Sequence, residues 1–521
     1  MKPLLLTLLL ASTAHAAAPK IDSVALLEQI GTLASDEFEG RAPGTQGEVQ
    51  TIEYLQQQFK KLGLAPGNPD GTYLQAVPLA GISCHPLLSA GSTQLKFGDD
   101  YVAWTTRALP QIELNDSELV FVGYGVQAPE FQWDDYKGAD LKGKTLVMLI
   151  NDPPVPDPRR PKQLDDKVFG GNNVTWYGRW NYKFEMAARM GAAAALIVHE
   201  PKAAGMPYDA VVNSWGRENF ALNSKQFDPY FPAVAGWLQQ ERAGELFKAA
   251  GLDFKELRQR AVSRDFKPVP LGIKLKLHMP NAIREVASHN VVARIPGADP
   301  QLKNEVVIYS AHWDHFGIDE TLPGPRTQQI FHGAVDNASG VAALLQIARA
   351  YKALPVAPKR TILFIATTAE ERGLLGAQYY VRHPLYPVSK TVLNLNIDSL
   401  NLWSRNREVV LSGMGKSSAD EIVTALADKQ GRTVKPSNDS YYRGDQLEFA
   451  RAGVPTIYLR NSGAKMQDYM ARQYHTVNDV VQANWNTSGA VEDITLLFQA
   501  GYQAAQAKEP PIWKTGAEFR R

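Results

Sequence analysis

The stretch TILFIATTAEERGLLG runs an apolar strand straight into two adjacent acids, Glu370 and Glu371, with a glycine one residue further on. Like charges side by side at the end of a buried strand are unfavourable unless something compensates them. Consecutive strand residues point in different directions. One carboxylate can therefore bind a metal while its neighbour serves as the proton acceptor for an attacking water. Hydrolysis at a metal requires both, a ligand and a base held in fixed register.

Other segments deliver donors of the same kind. EVVIYSA is followed by His312 and Asp314, GAVDNASG carries Asp336 just before a helical pattern, VLNLNI ends at Asp398, and YHTVND presents His475. Each has a structural alternative: a hydrogen-bonded surface histidine, an Asp336 helix cap, a solvated glutamate pair, a turn-forming Asp398. Jointly, with neither a cysteine cluster nor a Ser-His-Asp signature, they fit a carboxylate and imidazole zinc site. Residues two apart on a strand share a side, which places Asp314 where it can accept the second N–H of His312 and fix its tautomer. His315 and His332 read as hydrogen-bonding or substrate-contacting residues rather than ligands.

The elements that must position these donors follow from periodicity. From Asn290 onward, apolar strands (EVVIYSAHWD, RTILFIATT, TVLNLNIDS, VPTIYLR) alternate with helical patterns (GVAALLQIARAYKAL, ADEIVTALADKQG, AVEDITLLFQAGYQAAQ). That alternation predicts an α/β fold, a mostly parallel mixed sheet with helices on both faces. Its sites should lie beyond the carboxyl ends of the strands. Two amphipathic helical stretches lie between Ile21 and Gly63, around the turn-like DEFEGRAPGTQG. From about Glu118 the texture changes to short β-runs, and DPPVPDPRRPK reads as a surface excursion.

The chain has 521 residues, 21% charged and 44% hydrophobic, with Lys+Arg 55 against Asp+Glu 54. So even a balance gives no support to nucleic-acid or membrane-surface binding. MKPLLLTLLLASTAHA reads as a signal peptide over residues 1–16 with an A-x-A cleavage site, so an exported protein is expected, periplasmic or extracellular. The apolar run is too short for a membrane anchor. Cys84 is the sole cysteine, excludes an intramolecular disulfide, and reads as a buried structural thiol.

AHWDHFG, GAVDNASGVAALL, TTAEERGLLGAQYY, LNIDSLN and YHTVNDVV, in this order, resemble the two-zinc exopeptidases that include bacterial and yeast aminopeptidases and glutamate carboxypeptidase. LASDEFEGRAPGTQGE and YLQQQFKKLGLAPG resemble the N-terminal region of its secreted bacterial members. The resemblance implies a phosphorylase/hydrolase-like fold and two Zn2+ ions. His312 and Asp398 would hold one, Glu371 and His475 the other, with Asp336 between them and Glu370 as general base. It also implies a cis peptide at Asp336-Asn337.

FVGYGVQAPEFQWDDYKGADLKGKTLVML and GAAAALIVHEP resemble a β-rich protease-associated (PA) insert. The implied division is a peptidase domain at 17–117 and 276–521 interrupted by an insert at 118–275. One departure stands out. Gly444-Asp445-Gln446 occupies the place where relatives often have Ser-Asp-His, in a segment usually near substrate. That makes Tyr442 and Arg443 candidates for contacting substrate. Ser399 replaces a frequent methionine. The implied function is removal of N-terminal residues from peptides. The alternatives are a carboxypeptidase or dipeptidase of the same family, or a non-catalytic receptor-like relative.

Overall fold

A computed structural model describes residues 19–223, 230–437 and 439–520. The expected signal peptide lies outside them. Among the described residues, no helix is long and apolar enough to cross a membrane.

The fold is α/β, built on a large mixed sheet, as the alternation of apolar strands and helices predicts. Strands Val306–His312, Thr361–Thr367, Thr391–Asn396 and Thr456–Arg460 are parallel, with Val306–His312 paired on one side to Thr361–Thr367 and on the other to Thr391–Asn396. Val269–Ile295 closes one side antiparallel to Thr361–Thr367. Glu408–Ser412 runs antiparallel to Thr456–Arg460 on the other.

The period of two explains why these strands are apolar throughout. Val307, Tyr309 and Ala311 face one core while Val306 and Ile308 face another; Ile362, Phe364 and Ala366 divide from Leu363 and Ile365 in the same way. Helices Ser23–Leu33, Ser339–Lys352 and Ser488–Gln506 cover the first face. Leu375–Arg382 and the short Gln446–Arg451 helix supply Ala377, Tyr380 and Phe449 to the second. Each fully buried Leu, Ile, Val or Phe contributes about 1.5–3 kcal/mol relative to exposure.

A separate hydrophobic core is assembled from residues between Ala80 and Met279. Its centre is a parallel trio, Thr145–Leu149, Ala194–His199 and Val234–Gln239, with Gln111–Phe121 and Tyr101–Trp104 alongside. The proline-rich DPPVPDPRRPK forms an exposed two-stranded ribbon, Pro156–Asp157 with Arg160–Leu164. Strand Val269–Ile295 is 27 residues long and joins the two cores without a break. Its Leu275, Leu277 and Met279 pack in one core, and its Val291, Ala293 and Ile295 in the other.

Candidate metal centre

Because the central strands are parallel, their carboxyl ends share one rim. His312 is the last residue of its strand, Glu370 and Glu371 follow Thr367 by three and four residues, and Asp398 follows Asn396 by two. Asp336 comes from Ala334–Ala338, immediately before helix Ser339–Lys352. His475 follows helix Ala464–Arg472. Left-handed backbone in non-glycine residues gathers here: Arg41, Ala369, Ser399 and His475 all have φ between 50 and 60°, a clustering typical of functional sites. The Asp336-Asn337 peptide is cis, as the family resemblance implies.

The donor atoms converge. His312 Nε2 lies 3.2 Å from Asp336 Oδ1 and 3.7 Å from Asp398 Oδ1. His475 Nε2 lies 3.4 Å from Asp336 Oδ2 and 3.2 Å from Glu371 Oε2. Asp336 thus presents one oxygen to each imidazole. Glu370 Oε2 is 4.0 Å from His312 Nε2. Three overlapping groups could each hold an ion: His312, Asp336 and Asp398; His315, Asp336 and Glu371; and His312, Glu370 and Glu371.

The donor chemistry fits a metal. His312 Nδ1 donates to the Asp314 carbonyl at 3.1 Å, leaving the Nε2 lone pair facing carboxylates. At His475, Nδ1 lies 2.9 Å from Ser214 Oγ, whose own hydroxyl donates to the Ala210 carbonyl at 2.6 Å. Nδ1–H must therefore be the donor, which leaves Nε2 as the nitrogen that can offer a lone pair to an ion. Burial works to lower both imidazoles, yet the carboxylates around them raise His312 well above its ordinary range and His475 to about 9, so the space they share favours a positive charge. Correspondingly, His475 Nε2 and Asp336 Oδ1 are buried without a hydrogen-bond partner. Donors bonded to one tetrahedral zinc at about 2.0–2.1 Å sit about 3.3 Å apart, close to the separations seen.

The electrostatics agree. Burial pushes the Glu370 carboxyl well above its ordinary range, and Glu371, Asp398 and Asp445 add to this against the opposing pull of His312. Burial also acts to raise Glu371, but His475 and His315 overcome it and hold Glu371 below the usual range. A carboxyl that resists ionisation beside one that stays ionised is the pairing expected of an acid–base group next to a ligand.

Supporting contacts fix the rim. Asp314 sits beside His312, yet its carboxylate is 3.7 Å from Nδ1. That carboxylate instead accepts the backbone N–H of Glu370 at 3.0 Å and of Glu371 at 3.4 Å. Asp314 therefore orients the two glutamates as well as the histidine, which it reaches through its carbonyl. Asp336 is not the helix cap. Asn337 takes that part, its Oδ1 accepting Gly340 N–H at 2.9 Å and Ser399 N–H at 3.2 Å. His315 Nδ1 binds Glu371 Oε1 at 2.6 Å, and His332 Nε2 binds Asp36 at 2.8 Å.

Several supports carry no signal of their own in the sequence. Asp479 accepts the backbone N–H groups of Val335 and Asp336 at 2.9 and 3.0 Å. Buried Arg41 donates to the carbonyls of Leu33, Trp313, His332 and Gly333. Ser214 and Arg372 clasp the His475 side. The nearest hint for Asp479 is its place four residues after His475 in YHTVND.

Gly444-Asp445-Gln446 lies just behind the rim. Asp445 accepts the Thr367 hydroxyl, and burial raises its carboxyl to about 7. Gln446 donates to the Tyr441 carbonyl at 2.9 Å and accepts from Asn396 at 2.8 Å. A Cβ at Gly444 would lie 2.7 Å from Gln446 Oε1, so a larger residue there must displace the end of that side chain. Tyr442 and Arg443 line the cleft above the donors. The Tyr442 hydroxyl is committed to Glu518, at 2.6 Å, and to Lys416. Cys84 is buried.

The cleft, about 100 Å³, has Asp336, Glu370, Glu371, Asp398 and His475 in its lining. Residues from the segment that builds the other core, including Asn151, Trp180, Ser214 and Trp215, line it as well.

Residues 290–499 match the model of Peptidase family M28. The chain is 37% identical over 362 residues to a probable leucine aminopeptidase 2 of Aspergillus oryzae, covering 69% of this chain and 55% of that protein. It is 28% identical over 211 residues to carboxypeptidase Q of Rattus norvegicus, covering 40% of this chain and 39% of the rat protein. The chain thus spans only about two fifths to a little over half of these curated relatives. The fold resembles that of an aminopeptidase from Aneurinibacillus sp. strain AM-1, with a TM-score of 0.56 at 20% identity over 94% of this chain and 96% of that one. It also resembles a zinc aminopeptidase from Bacillus subtilis, with a TM-score of 0.50 at 18% identity over 95% and 98%. With the five motifs in order inside the matched segment, residues 290–499 form a peptidase family M28 domain.

Proposed function

We propose that this chain is a zinc-dependent exopeptidase that hydrolyses the peptide bond next to a free N-terminus. The observation that carries the reading is the convergence of His312, Asp336, Glu371, Asp398 and His475 beside the buried Glu370. His312 and Asp398 would hold one zinc, Glu371 and His475 a second, with Asp336 shared. Zinc supplies polarisation of the scissile carbonyl and an acidified water.

The chain's own residues do the rest. Glu370 takes the proton of the attacking water and returns it to the leaving amine as the C–N bond breaks. Its raised carboxyl suits both halves of that transfer. Asp314 holds the backbone of Glu370 and Glu371 in register. A cleft of about 100 Å³ is in keeping with binding the end of a chain rather than its middle, and in this reading Arg443 at its wall contacts substrate.

The PA-like insert at 118–275 supplies Asn151, Trp180 and Trp215 to that wall. We take its role to be restricting substrate length. The N-terminal segment is taken to direct export. A carboxypeptidase reading draws on the arginines of the cleft wall, Arg179, Arg443 and Arg460; released residues from peptides blocked at one end or the other separate the two.

Glu370→Gln keeps the shape and removes the base. It should bind zinc like the parent and lose peptidase turnover by about 100-fold or more. Substantial residual turnover refutes the role. A parent protein that takes up no zinc refutes the enzyme reading and favours a receptor-like relative.

A further inference from the structure

The second core reaches beyond the cleft wall to a candidate ligand. Helix Tyr208–Trp215 ends against the loop that carries His475. Ser214, 2% exposed, places Oγ 2.9 Å from His475 Nδ1, and Asn213 Nδ2 donates to the His475 carbonyl at 3.1 Å. Arg372, which follows Glu371, donates to the Ser214 carbonyl. Two residues beyond the helix, Arg217 pairs with Asp319 at 2.7 Å and stacks on Phe331 at 4.2 Å. The helix is thus tied to both segments that deliver His475 and Glu371.

The hydroxyl of Ser214 has one proton, which goes to the Ala210 carbonyl at 2.6 Å. Its oxygen can only accept from His475. This fixes a hydrogen on Nδ1 and leaves Nε2, which faces Asp336 and Glu371, as the nitrogen that can take an ion. His475 needs such a hold, since its backbone is left-handed at φ 57°. The ring is stacked on Tyr474 at 3.6 Å and meets Phe316 edge-to-face at 4.7 Å, and neither contact sets the tautomer.

We propose that Ser214 is a positioning residue for metal capture, so that the inserted segment 118–275 completes the half of the metal centre built on His475 and Glu371. This rests on the zinc reading above. Seating of helix Tyr208–Trp215 then becomes a condition for holding that ion. A polar partner outside the ligand shell typically accounts for about 10–100-fold in metal affinity.

The test is zinc titration of the full chain against a competing chelator, with no substrate present. Parent, Ser214→Ala and Ser214→Thr proteins are compared. The expected result is a 10–100-fold weaker zinc equivalent in Ser214→Ala, with the remaining uptake unchanged. Ser214→Thr, which keeps the hydroxyl, should recover most of the loss. A Ser214→Ala protein that binds zinc like the parent overturns the proposal, as does a Ser214→Thr protein as weak as Ser214→Ala. If Ser214→Ala does not fold, Ser214→Thr alone decides: parent-like affinity supports the hydroxyl's role and weakened affinity overturns it. Normal zinc uptake by the parent with equal uptake by the variants rejects only the role of Ser214. No uptake by the parent rejects the metal reading beneath it.

Discussion

Removing the guanidinium of Arg41 should destabilise the peptidase core more than any change to a metal donor. Arg41 is 1% exposed, and its four bonds, 2.6 to 2.9 Å long, fasten the end of the first helix, the segment after His312 and the turn before Asp336. Two effects oppose each other. Burial lowers its pKa from 12.5 to about 10 despite the nearby carboxylates of Asp479, Asp314, Asp336 and Glu371. That amounts to about 3 kcal/mol of cost, which removal would relieve. The four bonds are charge-assisted, at about 1.5–3 kcal/mol each, and their loss strands four acceptors. The bonds win.

Arg41→Ala should therefore lose at least about 3 kcal/mol of stability. Arg41→Lys, with one ammonium in place of a planar fork, should fall between. Urea unfolding followed by tryptophan fluorescence reads the midpoint, and Trp313 lies within the affected core. A midpoint for Arg41→Ala within about 1 kcal/mol of the parent would show that water replaces the guanidinium without penalty, and the reasoning fails.

Zinc added to metal-free protein at about 100 times its dissociation constant should raise stability by about 2.7 kcal/mol, read as a higher thermal midpoint; an unmoved midpoint contradicts the site. Gly501→Ala would place a Cβ 1.9 Å from Tyr309 Oη. Helix Ser488–Gln506 must then lift from the sheet, at a cost of about 1–3 kcal/mol or more by urea unfolding. Asp135, bonded to Trp133 and Val126, has its carboxyl raised by burial from 3.8 to about 7. A folded pKa above the unfolded one means its contribution is fully present below pH 3.8 and is lost as pH rises through 7. Asp135→Asn should flatten that part of the stability profile; an unchanged slope assigns it to other groups.

The candidate metal donors were legible in the sequence because parallel strands buried on both faces read as unbroken apolar runs. A polar residue ending such a run is conspicuous. Asp336 was ambiguous, since an aspartate before a helical pattern suits a cap equally well, and only the placement of Asn337 in that role separates the two. Arg41 and Asp479 were illegible for a different reason. Their partners are backbone carbonyls and N–H groups, which every residue carries, so no pattern of side chains marks them. Ser214 lies 261 positions from His475, and nothing local to either announces the pairing.

The long strand Val269–Ile295 bears on how the cleft can work. It is paired with Leu74–Cys84 residue by residue from Asn281 with Cys84 to Val291 with Leu74, so the passage between the two bodies is a laddered ribbon rather than a tether. A two-stranded ribbon resists sharp bending more than a single strand would, because a kink would strip several main-chain bonds at once. The gap above the donors is therefore set at folding, like the jaw of a fixed spanner. On the proposed function, peptides would be sorted by whether their ends fit that opening, and exchanging wall side chains alone would retune the choice.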